Sequence, residues 1–449
     1  MKRALVAATS LALVVSGVLS ACDDGADAVV ASDGGVGGDG STSDAAIATD
    51  ASGGADAAVP DSAVPDAAAD ADAGPEGRPP WLLLSVNYQS DSELIAYSPT
   101  ARDVDGRLSY SGYVGLTTID ALGRPFLLEQ TTDRVVELDP LAPWKERASW
   151  DVHGTDGVDG GAANADPVAV VPTSPGKAYV IRFNRNQIAV IDDTLKADAS
   201  APTKMIDLGA YLDPSDTDHS VDPVGAVYTN GRLYVLLGNL DLNKVSPTGY
   251  FTICTTTQPT VVAIDPATDS VVPVVDGGAA SGIKLPGYNS NLNGLYLDAP
   301  RHRLLALQGG CNPELADAGK GTLERRQVDA IDLTTGNVSV ALDLNAEGFP
   351  NAMVRASADE MIIGFDFYSA KRWSLGASTL GADVGDGLTS FAADPQGNVH
   401  GVRTTYLADG GSTREIVSYP PDGGAANVLG PLPTAKSGGF AGAVDFFAP

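Results

Sequence analysis

Short apolar runs recur from Trp81 to the end of the chain, and clusters of Gly, Pro, Asn and Asp separate them. The runs are rich in Val, Ile, Leu and Tyr, and no stretch of useful length keeps the 3.6-residue period of an amphipathic helix. The pattern therefore predicts an all-β domain over residues 80–449.

Within this region one order of segments repeats. An apolar segment, a turn, a second apolar segment and a variable loop precede a third segment, which in its clearest copies ends in an aliphatic residue and Asp, as in residues 166–192. Third segments of this kind occupy residues 94–97, 134–139, 187–192, 260–265, 327–332, 371–374 and 415–419. The chain therefore contains seven candidate structural units.

Seven units in about 370 residues give roughly 53 residues each, a little above the spacing of propeller repeats, which is about 40 to 50. Four-stranded blades around a channel bury both faces of each sheet, which explains apolar strands without strict alternation. A jelly roll or sandwich needs fewer residues, and a β/α barrel needs helices that the pattern lacks. A seven-bladed β-propeller is the expected fold.

The two ends of the domain complement each other. The first unit begins directly at residues 81–86 with no apolar segment before it, whereas a spare apolar segment, residues 439–447, follows the last unit. We expect this C-terminal segment to form the innermost strand of the first blade, which closes the ring and removes an exposed sheet edge.

Two units also resemble a known repeat. Residues 178–192, Ala-Tyr-Val-Ile-Arg-Phe-Asn-Arg-Asn-Gln-Ile-Ala-Val-Ile-Asp, resemble the YVTN-type β-propeller repeat, and residues 260–272 resemble its second half. The resemblance implies a propeller, often found on exported or surface proteins, and it brings no fixed catalytic residues.

The N-terminus has the features of an export signal. Met1-Lys2-Arg3 is positively charged, the following segment is apolar but shorter than a membrane span, and residues 19–22, Leu-Ser-Ala-Cys, resemble the lipobox of bacterial lipoproteins. The resemblance implies removal of residues 1–21, acylation of Cys22 and attachment to the cell envelope. An ordinary secretory signal with a chance cysteine is the alternative.

Residues 22–79 consist mainly of Ala, Asp, Gly, Ser and Pro and contain no aromatic residue. Such a segment has too little apolar surface to offset the entropy of ordering, so it is expected to be a disordered spacer with an r.m.s. span of roughly 40 Å. Acidic capture of calcium or of a basic protein is the alternative reading. The net charge of −29 argues against nucleic-acid binding.

Five polar residues precede or open predicted innermost strands. They are Asp166, Asp222, Asn293, Asn351 and Asp386. Oxygen ligands from several blades at one channel mouth would suit calcium or magnesium, and propellers similar to the gluconolactonase family hold a metal in this region. The alternative is that Asp and Asn end loops by bonding to their own backbone.

The remaining candidates for chemistry are sparse. Cys254 and Cys311 follow the second strands of neighbouring units, so a disulfide that joins adjacent blades is expected in an exported protein, with free thiols as the alternative. The four histidines are expected to be scattered over the surface, and only His219 lies close to a predicted channel-mouth residue.

These patterns favour a monomeric, membrane-anchored lipoprotein whose propeller binds a protein or glycan without catalysis, since no catalytic motif is present. A metal-dependent hydrolase or lactonase acting at the Asp/Asn mouth is the second hypothesis.

Overall fold

A computed structural model describes residues 80–88, 90–116, 124–154, 164–192, 201–244, 253–311, 324–366, 368–407, 411–436 and 439–447. The predicted signal peptide, Cys22 and the predicted linker lie outside these residues.

The described residues form 29 strands arranged in seven antiparallel sheets. Blade 1 contains β1 (Trp81–Asn87), β2 (Asp91–Ser98), β3 (Asp103–Ser111) and β29 (Phe440–Phe447). Blade 2 contains β4 (Val114–Leu116), β5 (Phe126–Glu129), β6 (Arg134–Asp139) and β7 (Ala142–Asp151). Blade 3 contains β8 (Pro167–Ser174), β9 (Lys177–Arg182), β10 (Gln187–Ile191) and β11 (Lys204–Asp207). Blade 4 contains β12 (Pro223–Thr229), β13 (Arg232–Leu237), β14 (Thr260–Asp265), β15 (Ser270–Val272) and β16 (Gly282–Lys284).

The last three blades follow the same order. Blade 5 contains β17 (Ser290–Asp298), β18 (Arg303–Gln308), β19 (Gln327–Asp332) and β20 (Val338–Asp343). Blade 6 contains β21 (Pro350–Ser357), β22 (Glu360–Phe365), β23 (Ser369–Ser374) and β24 (Asp383–Asp386). Blade 7 contains β25 (Leu388–Ala393), β26 (Val399–Tyr406), β27 (Ser412–Tyr419) and β28 (Asn427–Pro431).

The seven-bladed propeller is therefore confirmed. Each predicted third segment lies on the third strand of its blade, counted from the centre: β2, β6, β10, β14, β19, β23 and β27. Blade 4 carries one extra strand, because β15 and β16 pair with different parts of β14.

The C-terminal strand closes the ring, as the pattern of the two chain ends predicts. β29 pairs antiparallel with β1 from Trp81↔Phe447 to Asn87↔Phe440, and it also packs beside β25 of blade 7 and β4 of blade 2. The Phe447 ring stacks on Trp81 with a centroid distance of 5.9 Å and an interplanar angle of 17°. The first blade thus joins strands from the two ends of the domain.

Apolar clusters fill the spaces between neighbouring blades. One cluster joins Leu84 of blade 1 to Val402 of blade 7, and another joins Trp150 of blade 2 to Val180 of blade 3. Because each blade is covered on both faces, its strands need apolar side chains on both sides. The inner strands also approach closely: a Cβ at Gly225 of β12 would lie 3.2 Å from the Cα of Asn293 on β17.

Helical structure in the described part of the chain is limited to two short 3₁₀ turns, Gly209–Tyr211 and Ala299–Arg301. Among these residues no helix has the length and apolar character needed to span a membrane.

Candidate functional site

All five predicted Asp and Asn positions lie on one face of the ring. We call this the entrance face: the innermost strands begin here, and the chain passes here from the second to the third strand of each blade. The longest of these passages, in blades 4 and 5, occupy residues 238–259 and 309–326. The other face is called the opposite face.

Turn geometry explains three of the five positions. Asp166, Asp222 and Asn293 have left-handed backbone conformations, with φ of 51°, 47° and 54°. Asp and Asn tolerate this conformation better than other residues with side chains. The chain can therefore turn into β8 and β12 at Asp166 and Asp222, and it can bulge within β17 at Asn293. The turn-forming explanation therefore accounts for these residue types without a shared ligand.

The other two predicted positions, Asn351 and Asp386, do not share this left-handed backbone conformation. Asn351 is the second residue of β21, and its buried Oδ1 has no hydrogen-bond partner among the described atoms. Asp386 is exposed and pairs with Ser369. It is the last residue of the outermost strand of blade 6, and Gly387 separates it from β25.

Asp166 sits in a polar pocket between blades 2 and 3. Gln130 Nε2 donates a hydrogen bond to its Oδ1 at 2.8 Å. The neighbouring Asp133 accepts backbone N–H bonds from Ala165 and Asp166, and its Oδ2 lies 2.6 Å from His153 Nδ1. Burial, only partly offset by the Gln130 hydrogen bond, raises the pKa of Asp166 to about 7. The neighbours of Asp166 thus come from blade 2 and not from the other predicted positions.

Asp222 belongs to a second acidic group, which we call the blade-4 triad: Asp216, Asp218 and Asp222. One carboxylate oxygen from each residue lies within 4.8 Å of the others. Among the described His, Cys, Asp and Glu side chains, these three form the group able to share a metal ion. Burial, followed by the negative charge of Asp218, raises the pKa of Asp216 to about 7 and that of Asp222 well above its usual value.

Backbone amides from the next loop hold the triad in place. Asp222 Oδ2 accepts the N–H of Leu240 at 2.7 Å, and Asp218 Oδ2 accepts that of Leu242 at 2.5 Å. A fourth, fully buried carboxylate, Asp241, accepts the Thr217 hydroxyl and pairs with Lys244 Nζ at 2.7 Å. Burial opposes the charge of Asp241, but the hydrogen bonds from Lys244 and Thr217 together with the Lys244 charge outweigh burial and lower the pKa of that carboxyl. The triad therefore links the β11–β12 and β13–β14 connections.

The predicted disulfide is present on the same face. Cys254 of blade 4 and Cys311 of blade 5 are bonded, with their Cα atoms 4.9 Å apart. Cys311 also forms a bridge with Glu324, and beside it the Tyr288 hydroxyl lies 2.8 Å from that of Thr255. The bond ties together the connections between second and third strands in two adjacent blades.

The entrance face also exposes apolar and aromatic side chains. Leu292, Tyr406 and Leu407 are each close to half exposed, at 45%, 47% and 45%. Tyr406 of blade 7 meets Tyr368 of blade 6 edge to face at 5.9 Å, and their hydroxyls are 3.1 Å apart. Tyrosine pairs of this kind offer a flat apolar surface with a polar end, a common composition of binding sites.

The channel contains a carboxylate that the sequence gives no reason to single out. Asp445 lies on β29, the innermost strand of blade 1. Its charge acts on Tyr296 of β17, whose ring packs between blades 5 and 6 and whose hydroxyl donates a hydrogen bond to the Met353 carbonyl. Burial raises the pKa of Asp445 to about 8, although water reaches part of it.

The histidines need one correction. His400 is buried, with Nε2 2.9 Å from Asp394 Oδ2 and its ring stacked on Phe446 of the closing strand. It is a packing residue between blades 7 and 1, so the expectation of four surface histidines is wrong at this position. His219 is exposed within the loop that carries the blade-4 triad.

Comparison with known proteins supports the fold. The periplasmic gluconolactonase of Pseudomonas aeruginosa has a TM-score of 0.52 at 13% identity over 82% of this chain and 99% of its own. The β-propeller domain of Cps50 (Swd1) from Myceliophteria thermophila has a TM-score of 0.47 at 12% identity over 74% of this chain and 92% of its own. No family model and no curated protein sequence matches. The chain is therefore a β-propeller protein, and likeness at this identity shows the fold alone.

Proposed function

We propose that the chain is an exported lipoprotein, anchored to a membrane through Cys22, whose propeller binds a protein or glycan at its entrance face without catalysing a reaction. A metal site formed by the five candidate Asp and Asn residues is not needed for this function. Rigid scaffolds commonly carry binding residues on the loops at one end.

The observation that carries the proposal is the separation of the two faces. The described chain begins at Pro80, directly before β1, and β1 starts on the opposite face because it is the second strand of its blade. The proposed linker thus joins the side away from the disulfide-bonded loops, Leu292 and the Tyr368–Tyr406 pair. A tether at this point leaves the entrance face free for a partner.

The anchor is tested by changing Cys22→Ser in the full chain. We expect the variant to leave the membrane fraction for the soluble exported fraction, because the diacylglycerol on Cys22 supplies the membrane affinity, and stable anchoring takes more than one acyl chain. The measurement is membrane partition after carbonate washing and the mass of the N-terminal peptide. Unchanged partition would show that another feature anchors the protein.

Binding is tested with two matched surface variants, Leu292→Asp on the entrance face and Val340→Asp on the outermost strand of blade 5. Both side chains are similarly exposed, at 45% and 49%, so neither change should unfold the domain. We expect Leu292→Asp to lose a partner that co-purifies from native membranes and Val340→Asp to retain it. Metal-dependent turnover of a lactone or ester substrate with no co-purifying partner would instead favour the hydrolase hypothesis.

A further inference from the structure

The blade-4 triad is an all-oxygen site, and none of its three carboxylates is in an ion pair among the described residues. Its three aspartates lie within seven positions of one loop, at 216, 218 and 222, and their carboxylate oxygens approach within 4.8 Å of one another. The nearby Lys244 is bonded to Asp241, outside the triad, although its charge also acts on Asp216. Like charges held this close in a buried loop are costly unless a cation or protons compensate them.

An independent observation points to a bound ion. Asp216 is 1% exposed, and its Oδ2 has no hydrogen-bond partner among the described atoms. Its other oxygen, Oδ1, accepts the N–H of Asp218 at 3.2 Å. This bond orients the carboxylate, and Oδ2 remains available to coordinate an ion. A buried polar atom of this kind calls for a specific explanation, and a bound ion is one of the few.

The three carboxylates are already oriented by other bonds. Asp218 accepts N–H groups from Ser220 and Leu242, and Asp222 accepts that of Leu240. Each carboxylate oxygen has two lone pairs, so an oxygen that accepts one backbone bond can still coordinate an ion. The loop therefore presents a preformed set of donors and needs little rearrangement to bind a cation.

We propose that Asp216, Asp218 and Asp222 together bind one calcium ion. Two ligands on an ion with bonds of about 2.4 Å can be at most about 4.8 Å apart, and the triad oxygens meet this limit. The donors are carboxylates, with no His or Cys among the three, which disfavours zinc and copper. Calcium accepts irregular arrangements of oxygens, whereas magnesium demands near-octahedral geometry and keeps its waters.

The site has a structural consequence. The ion would lie where the β11–β12 connection meets the β13–β14 connection, and the latter leads to Cys254 and the disulfide with blade 5. Calcium would thereby stabilise the entrance face between blades 4 and 5. This inference is independent of the proposed function, because a structural ion is compatible with either binding or catalysis.

The test is calcium titration of the full mature chain after removal of metals with EDTA, by calorimetry and by equilibrium dialysis with radioactive calcium. We expect one ion per chain with Kd at or below about 0.1 mM, at least tenfold tighter than for magnesium. Fewer than about 0.2 ions per chain at 5 mM calcium would overturn the proposal regardless of any variant, and equal magnesium affinity would overturn the choice of ion.

The matched variants are Asp216→Asn in the triad and Asp213→Asn in the same loop, where Asp213 bonds instead to Ser215. We expect Asp216→Asn to weaken calcium binding at least tenfold and Asp213→Asn to change it less than twofold. Calcium should raise the thermal midpoint of the unmodified chain by at least about 3 °C and leave that of Asp216→Asn unchanged. In EDTA, Asp216→Asn should melt no lower than the unmodified chain, which shows that it folds. Equal calcium binding by both variants would contradict the assignment.

Discussion

Replacing Phe447→Ala tests the closure of the ring by its last strand. The Phe447 side chain is fully buried, stacks on Trp81 and belongs to the apolar cluster between blades 1 and 2. Removing such a ring costs about 3–5 kcal/mol, including about 0.5–1.5 kcal/mol from the aromatic contact. We expect the free energy of unfolding to fall by this amount in guanidinium titrations, with a thermal midpoint lower by about 4–6 °C.

The control is Phe440→Ala, at the other end of the same strand, where the ring is only partly buried. It should cost less than about 1.5 kcal/mol, because less apolar surface is lost. A larger perturbation, truncation after Ser437, should lower the midpoint strongly or prevent soluble expression, whereas deletion of residues 23–75 should barely change it. Equal and small effects of Phe447→Ala and Phe440→Ala, below about 1 kcal/mol, would refute the role of this strand in closing the ring.

Two further predictions concern the entrance face and the channel. The double change Cys254→Ser with Cys311→Ser opens a covalent loop with a sequence separation of 57 and should destabilise the fold by about 4 kcal/mol; calorimetry would contradict this if the midpoint stayed the same. Without metal, unfolding should be harder at pH 5 than at pH 8.5 by at least about 2 kcal/mol, because Asp445 and Asp166 have folded-state pKa values of about 8 and about 7. The pKa of an Asp in the unfolded chain is near 3.8, so the raised folded-state pKa values stabilise the fold fully below pH 3.8. This contribution to the free energy of unfolding is lost as the pH rises through 7 to 8. Stability that stays flat over this range would show that other groups compensate.

The blade pattern and the closure were predictable because they depend on local order along the chain. The composition of segments such as residues 187–192 is itself typical of strands. The spare segment 439–447 matches the innermost strand that the first unit lacks. The disulfide was predictable for the same reason, since both cysteines follow second strands of neighbouring units.

The chemistry of the entrance face was less predictable because it depends on contacts between distant segments. The position of Asp222 in the repeat marks it as a candidate, but Asp216 and Asp218 lie in a loop of irregular length that no repeat aligns. Their Asp-x-Asp-x-x-x-Asp spacing was the available signal. Asp445 lies in a mainly apolar strand, so nothing in the local sequence marks it, and its burial arises only when β29 closes the ring.

The central claim, that the entrance face binds the partner, is tested most directly by site-specific photo-crosslinking in intact cells. A photoreactive residue replaces Leu292 in one strain and Val340 in another, in the otherwise full-length, anchored protein; both positions are in blade 5 and similarly exposed. A discrete crosslinked species from position 292, absent at position 340, is the expected result. Crosslinks from position 340 alone, or the same products from both positions, would contradict it.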